Sequence, residues 1–147
     1  MAPKTNREVV QRYVDALAAR DLDAQAEVCA ADMVTEFPQS GERFRGWANI
    51  RAVAENYPGG LPKNLSGKVI GSEDKWVAAG PNFHILRIEG TGDVYTIIGS
   101  ATYPDGTTWQ VMSLVELRGG KIARTTEVYG ANFEAPEWRS KWADRTR

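Results

Sequence analysis

A chain of 147 residues, 42% of them hydrophobic, is long enough to bury a substantial core, and residues 1–147 are expected to form a single domain. With 18 basic against 19 acidic side chains the formal charge is -1, which removes the electrostatic basis for binding nucleic acid or an anionic membrane. One cysteine, Cys29, and one histidine, His84, exclude an internal disulfide and argue against a histidine-based metal site, so no metal and no cofactor is expected.

The chain opens MAPKTNREVVQRY, which holds no apolar run of signal-peptide length, and no later run is long enough to cross a bilayer; a cytoplasmic protein is expected. Thr5 and Glu8 have the T-x-x-E spacing of a capping box, so a helix begins at about residue 6. Val9, Val10, Tyr13, Val14, Ala16 and Leu17 recur at helical spacing and give it one apolar face. Tyr13 lies on that face, and when buried its hydroxyl must anchor a core hydrogen bond or point into a cavity. Asp21 or Asp23 caps a second short helix through about residue 30, in which Cys29 is a small core residue. Residues 33–37 alternate as a strand that ends at Pro38, and 42–44 form its partner across Gln39-Ser40-Gly41; the proline leaves the facing of Glu36 open. A third helix over 47–57 stops at Pro58 and Gly59-Gly60, with Tyr57 at its end. Strands are expected at 65–71 and 83–89, split by a polar turn at 72–75.

Residues 93–129 read DVYTIIGSATY, PDGT, TWQVMSLVEL, RGGK, IARTTEVY, three β-rich runs joined by the tight-turn pairs Asp105-Gly106 and Gly119-Gly120, the pattern of an antiparallel meander. Counting outward from two-residue turns puts Tyr95, Ile97, Gly99 and Ala101 on one face with Gln110, Met112, Leu114 and Glu116, and with Ala123, Thr125, Glu127 and Tyr129. Gly99, Met112 and Glu127 then share one row, and Ala101, Gln110 and Tyr129 the next. The opposite face is a mixed β-branched surface suited to a second subunit. If Thr91 and Gly92 form the preceding turn, His84 joins the row of Glu127; a loop one residue longer turns it away. A carboxylate in mid-strand among apolar residues, with a glycine leaving room beside it, marks a pocket lining centred on Glu127. An exposed strand glutamate is the plain alternative. A buried carboxylate needs a partner or a raised pKa, and either makes it a candidate general base. Beyond Tyr129, Pro136 suits the first turn of a short helix, and Trp138 and Trp142 on one face of it must bury against the domain, a dimer partner or the pocket mouth as a lid.

The run REVVQRYVDALAARDLDAQAEVCAADMVTEFP resembles the opening of ketosteroid isomerases, and the order helix, helix, hairpin, helix, long meander resembles the nuclear transport factor two-like superfamily. FPQSGERFRG and the GKI-containing final hairpin resemble its SnoaL-like branch. The resemblance implies an α+β fold: a conical barrel in which a curved antiparallel sheet wraps a cavity, with three N-terminal helices, a short C-terminal helix, and a homodimer formed through the outer sheet face. It sets Tyr13 where the isomerases carry the tyrosine of their oxyanion hole. Their general-base aspartate corresponds to Phe37, with Glu36 one residue earlier, and their second oxyanion donor to Met112 or Ser113. Epoxide hydrolases of the same superfamily use a carboxylate on the last strand, which counts to Glu127, while their Arg-x-Asp falls near Ile97 and Gly99. SnoaL-like cyclases use a single acid/base carboxylate in an apolar cavity.

The expected function is therefore a cofactor-independent isomerase, cyclase or hydrolyase acting on an apolar, cyclic or ketone-bearing small molecule. Glu127 shuttles the proton, Tyr13 and His84 stabilise negative charge, Glu36 is a second candidate carboxylate, and Gln110, Met112, Leu114, Tyr129, Tyr57 and Gly99 shape the cavity. The alternatives are a non-catalytic ligand-binding or dimeric interaction domain of the same fold, and an epoxide-hydrolase-like enzyme. They separate on whether Glu127 is sequestered beside a polar neighbour or neutralised by an arginine, for which Arg12, Arg43 and Arg45 are available.

Overall fold

The computed structural model describes residues 5–57, 82–103 and 105–146; the strand expected at 65–71 and the turn at 72–75 lie outside them. Helix α1, Asn6–Ala19, starts at the capping box, in which Thr5 Oγ1 accepts from the Glu8 N–H at 3.2 Å and Glu8 Oε2 accepts from the Thr5 N–H at 3.0 Å. Its buried face is Val9, Val10, Tyr13, Val14 and Ala16. Asp21 caps α2, Leu22–Val28, which ends earlier than expected, and Cys29 opens strand β1, Cys29–Phe37, as a buried core residue. Then follow β2, Glu42–Arg45; α3, Trp47–Glu55; β3, Asn82–Thr91; β4, Val94–Thr102; β5, Thr108–Arg118; and β6, Lys121–Ala131.

The six strands form one sheet in the order β2-β1-β6-β5-β4-β3. All neighbours are antiparallel except β1 and β6, which run parallel, so the sheet is mixed. It is the expected α+β architecture, with the described strands β2 and β3 left as edges rather than closing a barrel. The concave face packs on α1. Val10, Val14, Met33, Val115 and Ile122 are sealed from solvent there, each stabilising the fold by about 1.5–3 kcal/mol. Thr35 and Thr125, buried side by side on β1 and β6, satisfy one another's hydroxyls at 2.8 Å.

The registers differ from those counted from tight turns. Between β4 and β5 the loop spans 103–107, because Asp105 Oδ1 accepts from both the N–H and the hydroxyl of Thr107, at 2.8 and 2.7 Å, and widens the turn. Thr102 therefore pairs with Thr108, Ala101 with Trp109 and Gly99 with Val111. A one-residue slip exchanges the two faces of a strand. Trp109, Val111, Ser113, Val115 and Leu117 thus turn inward, and Gln110, Met112 and Leu114 lie on the outer face, Met112 55% and Leu114 41% exposed. Their expected role in lining the cavity is corrected accordingly. Between β5 and β6 the turn is Gly119-Gly120 as expected, but a bulge between Glu116 and Leu117 shifts the pairing, so Ser113 faces Glu127 and Val111 faces Tyr129.

At the β3–β4 hairpin the turn is Gly92-Asp93, and a second bulge lies between Ile85 and Arg87. Ile85 takes the place opposite Gly99, while His84 pairs with Ser100 and is exposed on the outer face. Gly99 serves this approach rather than leaving room in the cavity: a Cβ there would stand 2.6 Å from the His84 carbonyl oxygen. The C-terminal element is a 3₁₀ helix over Glu137–Trp142, and Trp138 and Trp142 remain 74% and 72% exposed instead of burying.

Candidate active site

The inner face of the meander is a stack of cross-strand rows. The deepest, Tyr95–Val115–Thr125, is fully buried. The next, Ile97–Ser113–Glu127, carries the only carboxylate among the inward residues described for these three strands; beyond it come Gly99–Val111–Tyr129 and Ala101–Trp109–Ala131. Tyr13 reaches the same region from α1, close enough that the charge of Glu127 acts on its phenol.

Burial pushes the Glu127 carboxyl up to about 7, against an opposing pull from Tyr129, whose hydroxyl donates to Glu127 Oε1 at 3.4 Å. Burial, then the neighbouring carboxylate, pushes the phenols of Tyr13 and Tyr129 above their ordinary values. Among the described residues no lysine or arginine forms an ion pair with Glu127. Of the arginines available by sequence, Arg12 pairs with Glu27 at 3.1 Å and Arg43 with Glu36 at 2.7 Å. No sealed polar side-chain atom among the described residues lacks a partner. Tyr13 lies on the buried face of α1 and Ser113 on the inward face of β5, each 6% exposed.

Tyr103 continues the inward parity of β4 past its last residue and meets Trp109 edge to face at 6.3 Å. Tyr57, just beyond α3, brings its phenol to that of Tyr103; burial raises both. On the other flank Tyr129 packs against Phe37 at 6.3 Å, and Phe37 against Phe44 at 5.7 Å. The Glu127 carboxyl thus lies beside the phenols of Tyr129 and Tyr13, with Phe37 packed on the far side of Tyr129. Such a group can take or give a proton near neutral pH and donate hydrogen bonds to an oxygen beside it. Among the described residues no group of three or more His, Cys, Asp or Glu side chains is placed to hold a metal ion.

Two candidates from the sequence fall outside this arrangement. Glu36 points to the outer face, where Arg124 at 2.5 Å and Arg43 at 2.7 Å hold it; their hydrogen bonds outweigh desolvation and keep its carboxyl below the ordinary value, so it is a surface ion-pair residue. His84 stands on the outer face for the reason given by its register. Tyr13, Glu127 and Tyr129 are brought together, while Tyr57 meets Tyr103 instead; Tyr103, Trp109 and Ser113 were missed, and the Asp105 turn was the signal that would have found the last two. An open cleft of about 580 Å³ between β2 and α3, lined by residues such as Arg43, Arg45 and Val53, contains none of these groups.

Residues 10–125 match the SnoaL-like domain family. The chain belongs to that family. Among solved structures it is 30% identical to an NTF2-like protein of unknown function from Burkholderia xenovorans LB400, covering 97% of this chain and 95% of that one, with a TM-score of 0.75. A protein from Kribbella flavida DSM 17836, provisionally designated a ketosteroid isomerase, is 21% identical over 97% of this chain and 90% of its own, also with a TM-score of 0.75. An NTF2-like protein of unknown function from Cytophaga hutchinsonii ATCC 33406, 14% identical over 87% and 92% of the two chains with a TM-score of 0.59, shares the fold. No curated protein sequence matches. In this chain β6 carries one inward carboxylate, Glu127, and no lysine or arginine among the described residues forms an ion pair with it.

The raised carboxyl makes stability depend on pH in a defined direction. The folded protein holds the Glu127 proton up to about pH 7, whereas the unfolded chain releases it near 4.5. Parent stability therefore falls as pH rises between those values, by roughly 3 kcal/mol. Chemical denaturation of Glu127→Gln should show the variant equal to the parent below pH 4.5 and more stable above pH 7. A variant less stable than the parent at pH 8 would reveal a cationic partner instead.

Proposed function

We propose that this SnoaL-like protein is an isomerase- or cyclase-type enzyme that uses Glu127 as general acid/base on an apolar cyclic or ketone-bearing small molecule. The observation that carries the reading is a carboxyl raised to about 7 by burial with no ion-pairing cation among the described residues. A base for carbon acids needs this poise near neutral pH.

In the proposed reaction the Glu127 carboxylate removes a proton from the carbon beside a ketone, the C–H electron pair moves into the new C=C bond, and the carbonyl oxygen becomes an enolate. Tyr13 and Ser113 donate hydrogen bonds to that oxygen. Tyr129 holds Oε1 by its hydrogen bond and leaves Oε2 to face the substrate. Return of the proton from Glu127 to a different carbon, or attack of the enolate carbon on a second carbonyl of the same molecule, gives isomerisation or ring closure. The base contributes about 10²- to 10⁴-fold, and a hydroxyl donor about 10²- to 10³-fold. The designation of the Kribbella flavida protein as a ketosteroid isomerase points to the same chemistry.

The enzyme acts as a homodimer joined through the outer faces of its sheets. The row Ile98–Met112–Val128 and the adjacent Thr96–Leu114–Thr126 form a contiguous apolar and β-branched patch, with Met112 and Val128 55% and 43% exposed. Light scattering on the purified chain should give twice the monomer mass, and Met112→Lys the monomer mass; a parent that runs as a monomer excludes this assembly.

Enolisation is tested with 2-tetralone in D₂O, following exchange at its α-carbon by NMR. The protein should accelerate exchange with a rate that climbs to a plateau above about pH 7, as a base of raised pKa requires. Glu127→Gln should lose about 10²-fold or more, and Tyr13→Phe about 10²-fold. Equal rates for parent and Glu127→Gln would remove the carboxylate from the mechanism.

A further inference from the structure

The turn between β1 and β2 sends one side chain to the strand that carries Glu127. The parallel ladder of β1 with β6 ends with Glu36 opposite Thr126, while β6 runs on to Ala131. Strand β1 cannot extend it: the chain turns after Phe37, whose carbonyl accepts from the Gly41 N–H at 2.9 Å, and Pro38 has no N–H to offer. Gln39 takes over. Its Oε1 accepts from the Tyr129 N–H at 2.6 Å and its Nε2 donates to the Tyr129 carbonyl oxygen, so one carboxamide engages both backbone groups of a residue 90 positions away. On its other edge Tyr129 faces Val111 of β5, so Gln39 closes the open side of the strand. An exposed glutamine held in one rotamer loses conformational entropy, which the paired hydrogen bonds offset.

From that backbone the Tyr129 ring packs on Phe37 at 6.3 Å, and its hydroxyl donates to Glu127 Oε1 at 3.4 Å. That hydrogen bond is long, so a small rotation of the Tyr129 backbone is enough to break it. We propose that Gln39 is a positioning residue for the acid/base centre: its carboxamide stands in for the peptide group that β1 does not supply beyond Phe37, fixes the backbone of Tyr129, and so keeps the Tyr129 hydroxyl on Glu127. This inference rests on the proposed role of Glu127 and names an exposed turn residue that governs it.

Gln39→Met keeps the length of the side chain and removes both hydrogen bonds; Gln39→Ala removes the side chain as well and should behave alike. The Glu127 carboxyl is followed by ¹³C NMR in the glutamate-labelled full chain. Burial raises this carboxyl and the Tyr129 hydrogen bond pulls against it. Releasing the hydroxyl should therefore move the inflection up from the parent's value by about half a unit, as the loss of one modest hydrogen bond requires. Tyr129→Phe should move it up at least as far, and Gln39→Met/Tyr129→Phe no further than Tyr129→Phe alone. Ser40→Ala, in the same turn but with its hydroxyl on Phe37 rather than Tyr129, should leave it unchanged. In the Gln39 variants the plateau of 2-tetralone exchange should shift to higher pH with the inflection, a change that loosening of the turn alone would not produce. An inflection that stays at the parent's value in Gln39→Met or in Tyr129→Phe, that moves equally in Ser40→Ala, or that moves by the sum of the single shifts in the double variant overturns the role of Gln39 and leaves that of Glu127 standing. A parent inflection near 4.5 overturns both.

Discussion

The constraint on which this structure turns is the partial burial of one carboxyl group without a positive partner among the described residues. Charged side chains cluster elsewhere: Glu36 with Arg43 and Arg124 on the outer face, Arg51 with Asp23 and Glu55 beside α3, Arg118 with Asp32 at a sheet end. Each of those carboxylates lies where a guanidinium can meet it. Glu127 sits instead among Tyr13, Tyr129 and apolar rings, and the low-dielectric surroundings favour its protonated form. Such a group opposes folding at neutral pH, and the sealed core around Val10, Met33 and Ile122 offsets it.

A backbone irregularity puts the carboxyl there. In β6 the inward residues are Ile122 and then Thr125, Glu127 and Tyr129, an even position followed by odd ones. The change of parity is the work of the bulge opposite Glu116 and Leu117, where Ala123 is the extra residue on β6, without which Arg124, Thr126 and Val128 would continue inward from Ile122. The same bulge frees Arg124 to reach Glu36 on the outer face. One local shift thus supplies both the uncompensated carboxyl inside and the ion-pair network outside.

Much of this was legible in the residues themselves. The capping box, the apolar face of α1 and the Gly119-Gly120 turn follow from spacing and are present; the count also put Thr125, Glu127 and Tyr129 inward, but through a bulge-free pairing with β5 that the structure replaces. The facing of β5 was not legible, because TWQVMSLVEL is apolar on both parities: Val111 and Val115 on one, Met112 and Leu114 on the other. Only the Asp105 side chain decides between them, by bonding Thr107 and adding residues to the loop. His84 escaped for a related reason, since the bulge at Ile85 and Arg87 leaves no mark in the alternation. Phenols that meet from separate elements, such as Tyr57 after α3 and Tyr103 after β4, are set by tertiary distance and have no sequence period.

The most direct measurement of the central claim is the titration of the Glu127 carboxyl itself, followed by ¹³C NMR on glutamate-labelled protein and assigned by the resonance that disappears in Glu127→Gln. The account predicts that this resonance has its inflection at about 7. An inflection near 4.5 or below would mean that the carboxyl is solvated or paired with a cation, and the site would then hold a structural anion rather than a base.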